Sequence, residues 1–308
     1  MKARVKHSES FSDAKVLSPT VETIYGTSGN DLIFGTSGDD LIFGLGGNDT
    51  ILALGGNDTV YGGDGNDQID TAGFIFNETE HNFASGGNGN DIVLGDWGND
   101  TLQGDSGNDL LDGRRGNDML DGGSGNDTIT GDYGNDTAYG GDGHDQIDLA
   151  GLVFQNADTN YADGGSGNDI IKGDWGSDTL LGNSGNDRLE GRNGNDVLDG
   201  GLGSDTLIGG IGDDTLTGGQ DKDYFTFTDI TSHDVITDFV SNSDGGPFMR
   251  VQVLDMLEFS SNLFSSARDV IKHTEYANGN AYITNDSGTF SLELTGVTHL
   301  DTDQIDII

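Results

Sequence analysis

Aspartates at a fixed spacing are the residues of this sequence with the clearest chemistry. Between Gly26 and Thr226 the chain can be written in frames of nine, such as GTSGNDLIF at Gly26 and GLGGNDTIL at Gly44, with Asp at the sixth position. Glycine permits the positive φ angles of a tight turn, and such a turn leaves backbone carbonyls free to point at an ion. Hard cations such as Ca²⁺ take oxygen ligands from carboxylates and carbonyls. The first six positions therefore predict a cation-binding turn.

The last three positions of each frame predict a short strand with one apolar residue at its centre. Side chains alternate along a strand, so this residue points inward and its neighbours point outward. Two frames then make one coil of a right-handed solenoid with two thin parallel sheets. The predicted inward residues are Ile33, Ile42, Ile51, Val60, Ile69, Val93, Leu102, Leu111, Leu120, Ile129, Ala138 and Ile147.

The predicted core is thin, because each frame of nine contributes one small apolar side chain. Burial of such a side chain supplies ~1.5–3 kcal/mol, whereas ordering the backbone costs ~1–2 kcal/mol for every residue. This balance does not favour folding without a further source of stability.

The repeat resembles the G-G-x-G-x-D-x-U-x nonapeptide of the RTX (repeats-in-toxin) family. Nineteen frames carry the resemblance, over about two thirds of the chain. It implies an all-β, right-handed parallel β-roll that binds several Ca²⁺ ions, with successive turns on one edge sharing ions. In the last frame Asp221 replaces the fourth glycine. The implied metal ligands are Asp31, Asp40, Asp49, Asp58, Asp67, Asp91, Asp100, Asp109, Asp118, Asp127, Asp136, Asp145, Asp169, Asp178, Asp187, Asp196, Asp205, Asp214 and Asp223.

The charge of the chain agrees with a cation-binding array. The 308 residues include 13 Lys and Arg against 54 Asp and Glu, which gives a net charge of −41. About one Ca²⁺ per repeat would bring roughly +30 to +38. The acidic excess disfavours binding to nucleic acid or anionic lipid. We therefore expect a chain that is largely unfolded without calcium and folded with it.

Two inserts of 15 residues, 71–85 and 149–163, interrupt the frames, and a 78-residue unit (62–139) recurs as 140–217. If each insert is an enlarged half-coil, both inserts emerge on the same edge, about 19 Å apart at ~4.8 Å per coil. A looped-out bulge would place them on opposite edges. The enlarged half-coil is the favoured interpretation, because it preserves the register of the two GDWG turns.

Aromatic side chains of the inserts and of the following turns have two interpretations. They could line a paired site for a polysaccharide or a cell-surface ligand, or they could pack over the thin core, which is the favoured interpretation. The residues concerned are Phe74, Phe76 and Trp97, with Leu152, Phe154 and Trp175 as their copies.

No catalytic residue is predicted, and the chain is not expected to be an enzyme. The GDSGN sequence at Gly104 falls within the repeat frame, and no HExxH motif of a zinc protease occurs. The absence of cysteine excludes a disulfide framework. An ice-binding face would need a ladder of Thr-x-Thr strands, and only 128–130 and 215–217 fit.

The sequences of the two terminal segments predict an N-terminal linker and a C-terminal cap. Residues 1–25 read as an N-terminal linker without the apolar core of a Sec signal peptide, and no apolar run is long enough to span a membrane. Residues 227–308 predict a small, mostly β cap, with strands at 234–239 and 255–259, a helix at 262–276 and a hairpin at 280–297. This part resembles the C-terminal flank of secreted serralysin-type proteases, lipases and epimerases. The last three residues, Asp306-Ile307-Ile308, resemble a type I secretion signal.

These features together predict three segments, 1–25, 26–226 and 227–308, and a secreted calcium-binding module. It would be exported by type I secretion machinery without a Sec signal peptide and would fold on binding Ca²⁺ outside the cell. Two alternatives stay open at this point. The chain could be the C-terminal appendage of a secreted protease, lipase or polysaccharide epimerase, or it could be a polysaccharide- or surface-binding module.

Overall fold

A computed structural model describes residues 21–73, 80–151, 158–228, 231–239, 256–297, 299–300 and 302–308. The chain divides into two compact units, Met1–Val153 and Phe154–Ile308. The strands of the first unit are β1 (Thr23–Tyr25), β2 (Leu32–Phe34), β3 (Leu41–Gly46), β4 (Thr50–Leu52), β5 (Thr59–Asp64), β6 (Gln68–Asp70), β7 (Phe83–Asn88), β8 (Ile92–Leu94), β9 (Thr101–Ser106), β10 (Leu110–Asp112), β11 (Met119–Ser124), β12 (Thr128–Thr130), β13 (Thr137–Asp142) and β14 (Gln146–Asp148).

Strands of the first unit alternate between two parallel sheets. The odd-numbered strands form the first sheet in the order β1-β3-β5-β7-β9-β11-β13, and the even-numbered strands form the second. The register places Ile42 opposite Val60 in the first sheet and Ile51 opposite Ile69 in the second. Two frames therefore make one coil, and the predicted parallel β-solenoid is confirmed.

The second unit continues the same pattern and then changes. Its elements are β15 (Tyr161–Ser166), β16 (Ile170–Lys172), β17 (Thr179–Ser184), β18 (Arg188–Asn193), β19 (Val197–Leu202), β20 (Thr206–Ile211), β21 (Thr215–Gln220), β22 (Tyr224–Phe227), β23 (His233–Ile236), β24 (Met256–Phe259), α1 (Ala267–Lys272), β25 (Thr274–Ala277), β26 (Asn280–Thr284), β27 (Ser291–Leu294), a 3₁₀ turn (Thr302–Gln304) and β28 (Ile305–Ile307). The odd-numbered strands β15, β17, β19, β21 and β23, followed by β27, form its first sheet in parallel, and β26 and β25 extend that sheet in antiparallel fashion. The strands β16, β18, β20, β22, β24 and β28 form its second sheet.

The core of each unit is the narrow seam between its two sheets. Every predicted inward residue is buried, and Ile33, at 6% exposure, is the most exposed of them. Sequence framing missed Ala84 and Ala162, which are also fully buried. The strand residues next to each inward residue face outward. The exposed side chains of Tyr61 and Tyr139 are two examples.

The insert at 71–85 is an enlarged half-coil, as predicted. Strand residues Phe83, Ala84 and Ser85 pair with Thr59, Val60 and Tyr61. The coil that contains the insert advances 24 residues where the others advance 18, as the hydrogen bonds between successive turns show. The predicted aromatic positions 74, 76, 152 and 154 lie outside the described residues. The 19 Å spacing of the two inserts remains a prediction.

Strands of the first sheet are longer than predicted. Strand β5 has six residues rather than three, because positions one to three of the following turn keep pairing with the next coil, as Gly63 does with Gly87. The frame period fixes where a strand begins, whereas the pairing of the turn backbone decides where it ends.

The predicted helix at 262–276 is wrong in its bounds. Helix α1 covers Ala267–Lys272, and its N-cap is Ser266, whose side chain accepts from the N–H of Asp269. The segment Thr274–Ala277 forms a strand, because its backbone pairs with β26. The predicted hairpin at 280–297 is confirmed by the antiparallel pairing of β26 with β27.

Candidate calcium-binding turns

Turns lie on two edges in each unit. Edge one holds the turns that lead from the first sheet to the second, and edge two holds the turns that lead back. The predicted aspartates of edge one are Asp31, Asp49, Asp67, Asp91, Asp109, Asp127 and Asp145 in the first unit and Asp169, Asp187, Asp205 and Asp223 in the second. Those of edge two are Asp40, Asp58, Asp100, Asp118 and Asp136 in the first unit and Asp178, Asp196 and Asp214 in the second.

The aspartates form a hydrogen-bonded ladder along each edge. The N–H of Asp31 donates to Oδ1 of Asp49 at 2.8 Å, and the N–H of Asp49 donates to Oδ1 of Asp67 at 2.8 Å. At the last frame the N–H of Asp205 donates to Oδ1 of Asp223 at 3.0 Å. Asp223 thus occupies the same place as the others, although its frame lacks the fourth glycine. The ladder fixes the orientation of every carboxylate in it.

The second carboxylate oxygen of many of these aspartates is buried without a hydrogen-bond partner. Leaving such a group unsatisfied costs ~1–3 kcal/mol, and more when it is charged. A cation would remove this cost, since carboxylate oxygen is the ligand that Ca²⁺ prefers. The residues whose Oδ2 is in this state are Asp49, Asp58, Asp67, Asp91, Asp109, Asp118, Asp127, Asp187, Asp196 and Asp205.

A small space free of side-chain atoms lies beside each of these oxygens except that of Asp58, whose turn has Ala53 in place of the first glycine. A Cβ placed on Gly44 would lie 2.5 Å from Oδ2 of Asp49 and 2.4 Å from the carbonyl oxygen of Gly62. The carboxylate and the carbonyl of the next coil therefore approach one point, and glycine at position one keeps that point free. No group of three His, Asp or Glu side chains converges within the described ranges. A cation at these turns would thus depend on backbone carbonyls as well as carboxylates, which fits calcium.

Burial raises the pKa of several turn aspartates, including Asp58, Asp118 and Asp196. Desolvation is the main cause, and neighbouring carboxylates add to it, so the pKa of Asp58 rises to about 7, that of Asp196 to about 8 and that of Asp118 to about 9. Backbone N–H groups of the ladder partly oppose the rise. In the absence of a cation, ionised carboxylates at these turns therefore destabilise the folded state.

The raised pKa values predict opposite effects of pH with and without calcium. A folded-state pKa above the unfolded value of about 3.9 means that the calcium-free fold loses stability as pH rises from about 4 to about 9. Far-UV circular dichroism of the calcium-depleted chain should therefore show more β structure near pH 5 than near pH 9. With saturating calcium the order should reverse, because protons compete with the ion for the carboxylates.

Sodium chloride at high concentration is the control for the pH experiment. Salt screens the general repulsion among surface charges but does not protonate buried carboxylates. It should therefore restore less β structure at alkaline pH than acidification does. A calcium-free signal that grows with rising pH would contradict the prediction.

Asparagine takes the place of aspartate in the two enlarged coils. The N–H of Asp58 donates to Oδ1 of Asn82, and the N–H of Asn82 donates to Oδ1 of Asp100, both at 2.8 Å. Asn160 likewise donates its N–H to Oδ1 of Asp178. Frame counting missed these positions because the glycines before them are absent. The matching Asn-aromatic-Ala triplets before Gly86 and Gly164 were the available signal.

The side chain of Trp97 packs against its neighbouring coil. The guanidinium of Arg115 lies 4.0 Å from the Trp97 ring centroid and 4.9 Å from that of Tyr133. These contacts support the packing interpretation for Trp97. Its copy Trp175 is 42% exposed.

A parallel β-solenoid with a ladder of buried carboxylates at its turns defines a class of cation-binding repeat protein. The chain belongs to the family of RTX calcium-binding nonapeptide repeats. The family model, which has 4 copies of the repeat, matches residues 19–51, 43–74, 79–102, 94–129, 121–151, 154–189 and 190–225. No curated protein matches the chain.

One solved structure shows the same fold, and a second shares a lower similarity with the chain. A hyperactive, Ca²⁺-dependent, β-helical antifreeze protein from an Antarctic bacterium matches with a TM-score of 0.50 and 20% identity, over 79% of this chain and 84% of that chain. The extracellular lipase LipA from Serratia marcescens matches with a TM-score of 0.25 and 19% identity, over 75% of this chain and 40% of the lipase. Within the residues that the structure describes, no helix has the length and hydropathy needed to cross a bilayer.

Proposed function

We propose that the chain is a non-catalytic calcium-binding module that is secreted and folds when it binds Ca²⁺ outside the cell. The observation that carries the proposal is the row of buried aspartate Oδ2 atoms without hydrogen-bond partners. Many divalent cations would coordinate these oxygens and the nearby carbonyl oxygens, and they would offset the net charge of −41. The proposed ligands are drawn from the nineteen predicted aspartates, which stand one in each frame.

The place of folding follows from the affinity of such sites. Extracellular calcium modules bind the ion with Kd values near 10⁻⁴–10⁻³ M, a range that cytosolic calcium does not reach. A chain with sites of this kind would stay unfolded during synthesis and fold after export. RTX repeat proteins are generally secreted, and the acidic-then-apolar C-terminus is the proposed signal for the type I machinery.

Paired asparagine substitutions test the proposed ligands. Asp109→Asn with Asp127→Asn removes two buried carboxylates from edge one with almost no change in shape. We expect this variant to bind about two fewer calcium ions by isothermal titration calorimetry and to need several-fold more calcium to fold. The loss arises because an amide nitrogen cannot coordinate the ion.

Asp105→Asn with Asp121→Asn is the matched control. Both residues lie in the same coils, and the change in charge is identical, but neither stands at position six. The control variant should bind the same number of calcium ions as the unmodified chain. Equal losses in the two variants would mean that net charge, rather than the ladder, attracts the ions, and the proposal would fail.

A further inference from the structure

The turns fall into two conformations. In one, which we term open, positions two and four both have positive φ, as at Leu45 (79°) and Gly47 (100°). In the other, termed closed, neither position does, and this holds within the described residues for the turns that begin at Gly26, Gly35, Gly95 and Gly173.

A closed turn satisfies its own carboxylate. In the turn at Gly95, the N–H of Asp96 donates to Oδ2 of Asp100 at 2.7 Å, and the N–H of Gly98 donates to Oδ1 of Asp96 at 2.7 Å. The turn at Gly173 repeats both bonds, with Asp174 bonded to Asp178 at 2.7 Å. Both oxygens of Asp100 accept backbone N–H groups, since Asn82 donates to Oδ1. Among the described residues, neither Asp100 nor Asp178 has a buried carboxylate oxygen without a hydrogen-bond partner, unlike many of the aspartates in the open turns.

Asn82, in the enlarged coil that precedes the Gly95 turn, does not offer a cation the carboxylate oxygen of an open turn. Oδ1 of Asn82 accepts from Asp58, so the amide orientation is set and Nδ2 points into the buried space without a partner. An N–H donor therefore stands where an open turn presents a carboxylate oxygen. A donor there repels a cation.

On edge two, closed turns stand at the start of the runs of open turns. On edge two of the first unit, the Gly95 turn follows the enlarged coil and precedes the open turns at Gly113 and Gly131. On edge two of the second unit, the Gly173 turn precedes the open turns at Gly191 and Gly209. Edge one has no such interruption between Gly44 and Asp145 in the first unit or between Gly164 and Asp223 in the second.

We infer that calcium binding along edge two is interrupted at the closed turns that follow Asn82 and Asn160, and that these turns, which begin at Gly95 and Gly173, hold no calcium. They fold through their own hydrogen bonds and start a separate run of calcium-binding turns. This inference rests on the proposed function, because it assigns which turns of the array bind the ion. It removes Asp100 and Asp178 from the set of ligands implied by the repeat frame.

Matched variants one coil apart test the assignment. Asp118→Asn with Asp196→Asn alters open turns on edge two, and we expect a loss of about two calcium equivalents in equilibrium dialysis at saturating calcium. Asp100→Asn with Asp178→Asn alters the closed turns, and we expect no loss of equivalents, although the midpoint of thermal unfolding should fall because backbone N–H groups lose acceptors. Equal losses of calcium in the two variants would overturn the inference.

Diffraction from crystals of the unmodified chain grown with Tb³⁺ gives a second measurement that does not depend on how the variants fold. Anomalous peaks should appear beside the open turns, such as those of Asp118 and Asp196, and not beside Asp100 or Asp178. A peak at either closed turn would overturn the inference. If dialysis finds that the unmodified chain binds no calcium, the proposed function itself fails, which separates the two outcomes.

Discussion

Removing calcium from the full chain near neutral pH is expected to abolish most of its β-sheet signal in far-UV circular dichroism. The signal should return on titration with calcium in the millimolar range, in a steep transition. The transition is steep because each coil of a solenoid is stabilised by its neighbours. We expect this to be the largest effect of any single change made to the protein.

The size of the effect follows from the balance of energies in one coil. The inward residue of each frame contributes ~1.5–3 kcal/mol, whereas ordering a residue costs ~1–2 kcal/mol in backbone entropy. One site at a calcium concentration 100 times its Kd adds about 2.7 kcal/mol, and a few such sites together equal the whole stability of an ordinary domain, ~5–15 kcal/mol. In the absence of calcium, buried carboxylates such as Asp118 add an electrostatic cost instead.

Magnesium at the same concentration is the control for this titration. It prefers strict octahedral geometry and gives up its waters reluctantly, so it should restore little structure. Size-exclusion chromatography should show the calcium-free chain eluting as an expanded species. A spectrum that does not change after chelation would refute both the prediction and the proposed coupling of folding to calcium.

The repeat period was enough to predict the solenoid, since period nine fixes both the turn and the inward residue. Ile42 and Val60 are buried because their frame position points them into the seam, and no tertiary knowledge is needed for that. The predicted aspartates likewise all lie at turns, because position six precedes every strand.

The conformation of individual turns could not be predicted from the repeat. The GDSG turn at Gly104 and the GDYG turn at Gly131 are open, whereas the GDWG turns at Gly95 and Gly173 are closed. The Asp at position two adopts φ of about 70° in the first pair, whereas in the second pair its Oδ1 accepts from the N–H of the glycine two residues later. The closed pair has Trp at position three and follows an asparagine of the ladder, Asn82 or Asn160. Contacts between coils of this kind do not appear in a frame of nine.

Gly44→Val is expected to disable one calcium-binding turn outright. Valine would place its Cβ 2.4 Å from the Gly62 carbonyl oxygen and 2.5 Å from Oδ2 of Asp49, in the space that the two oxygens approach. Overpacking of this kind costs ~1–3 kcal/mol, and the lost site removes about 2.7 kcal/mol more at 100 times its Kd. The calcium concentration at half-folding should rise by about tenfold, as measured by circular dichroism.

Gly46→Val, two residues further along the same turn, provides the contrast. The nearest atoms to a Cβ at Gly46 are 3.7 Å away, and its φ is not positive, so the backbone accepts a side chain there. This variant should fold at a calcium concentration close to that of the unmodified chain. If both substitutions raised the calcium concentration at half-folding by a similar factor, glycine would serve chain flexibility in general. The claim that Gly44 keeps space for the ion would then be contradicted.

Ala53 is the one residue other than glycine at position one of the nineteen frames. It stands at position one of the turn that ends at Asp58, and it is fully buried. The coil that follows on this edge is the enlarged one, which places Asn82 beside Asp58 and has no glycine turn in front of Asn82. A methyl group is therefore tolerated where the next coil is altered. At Gly44 the next coil is regular, and its carbonyl oxygen leaves no room for a larger side chain.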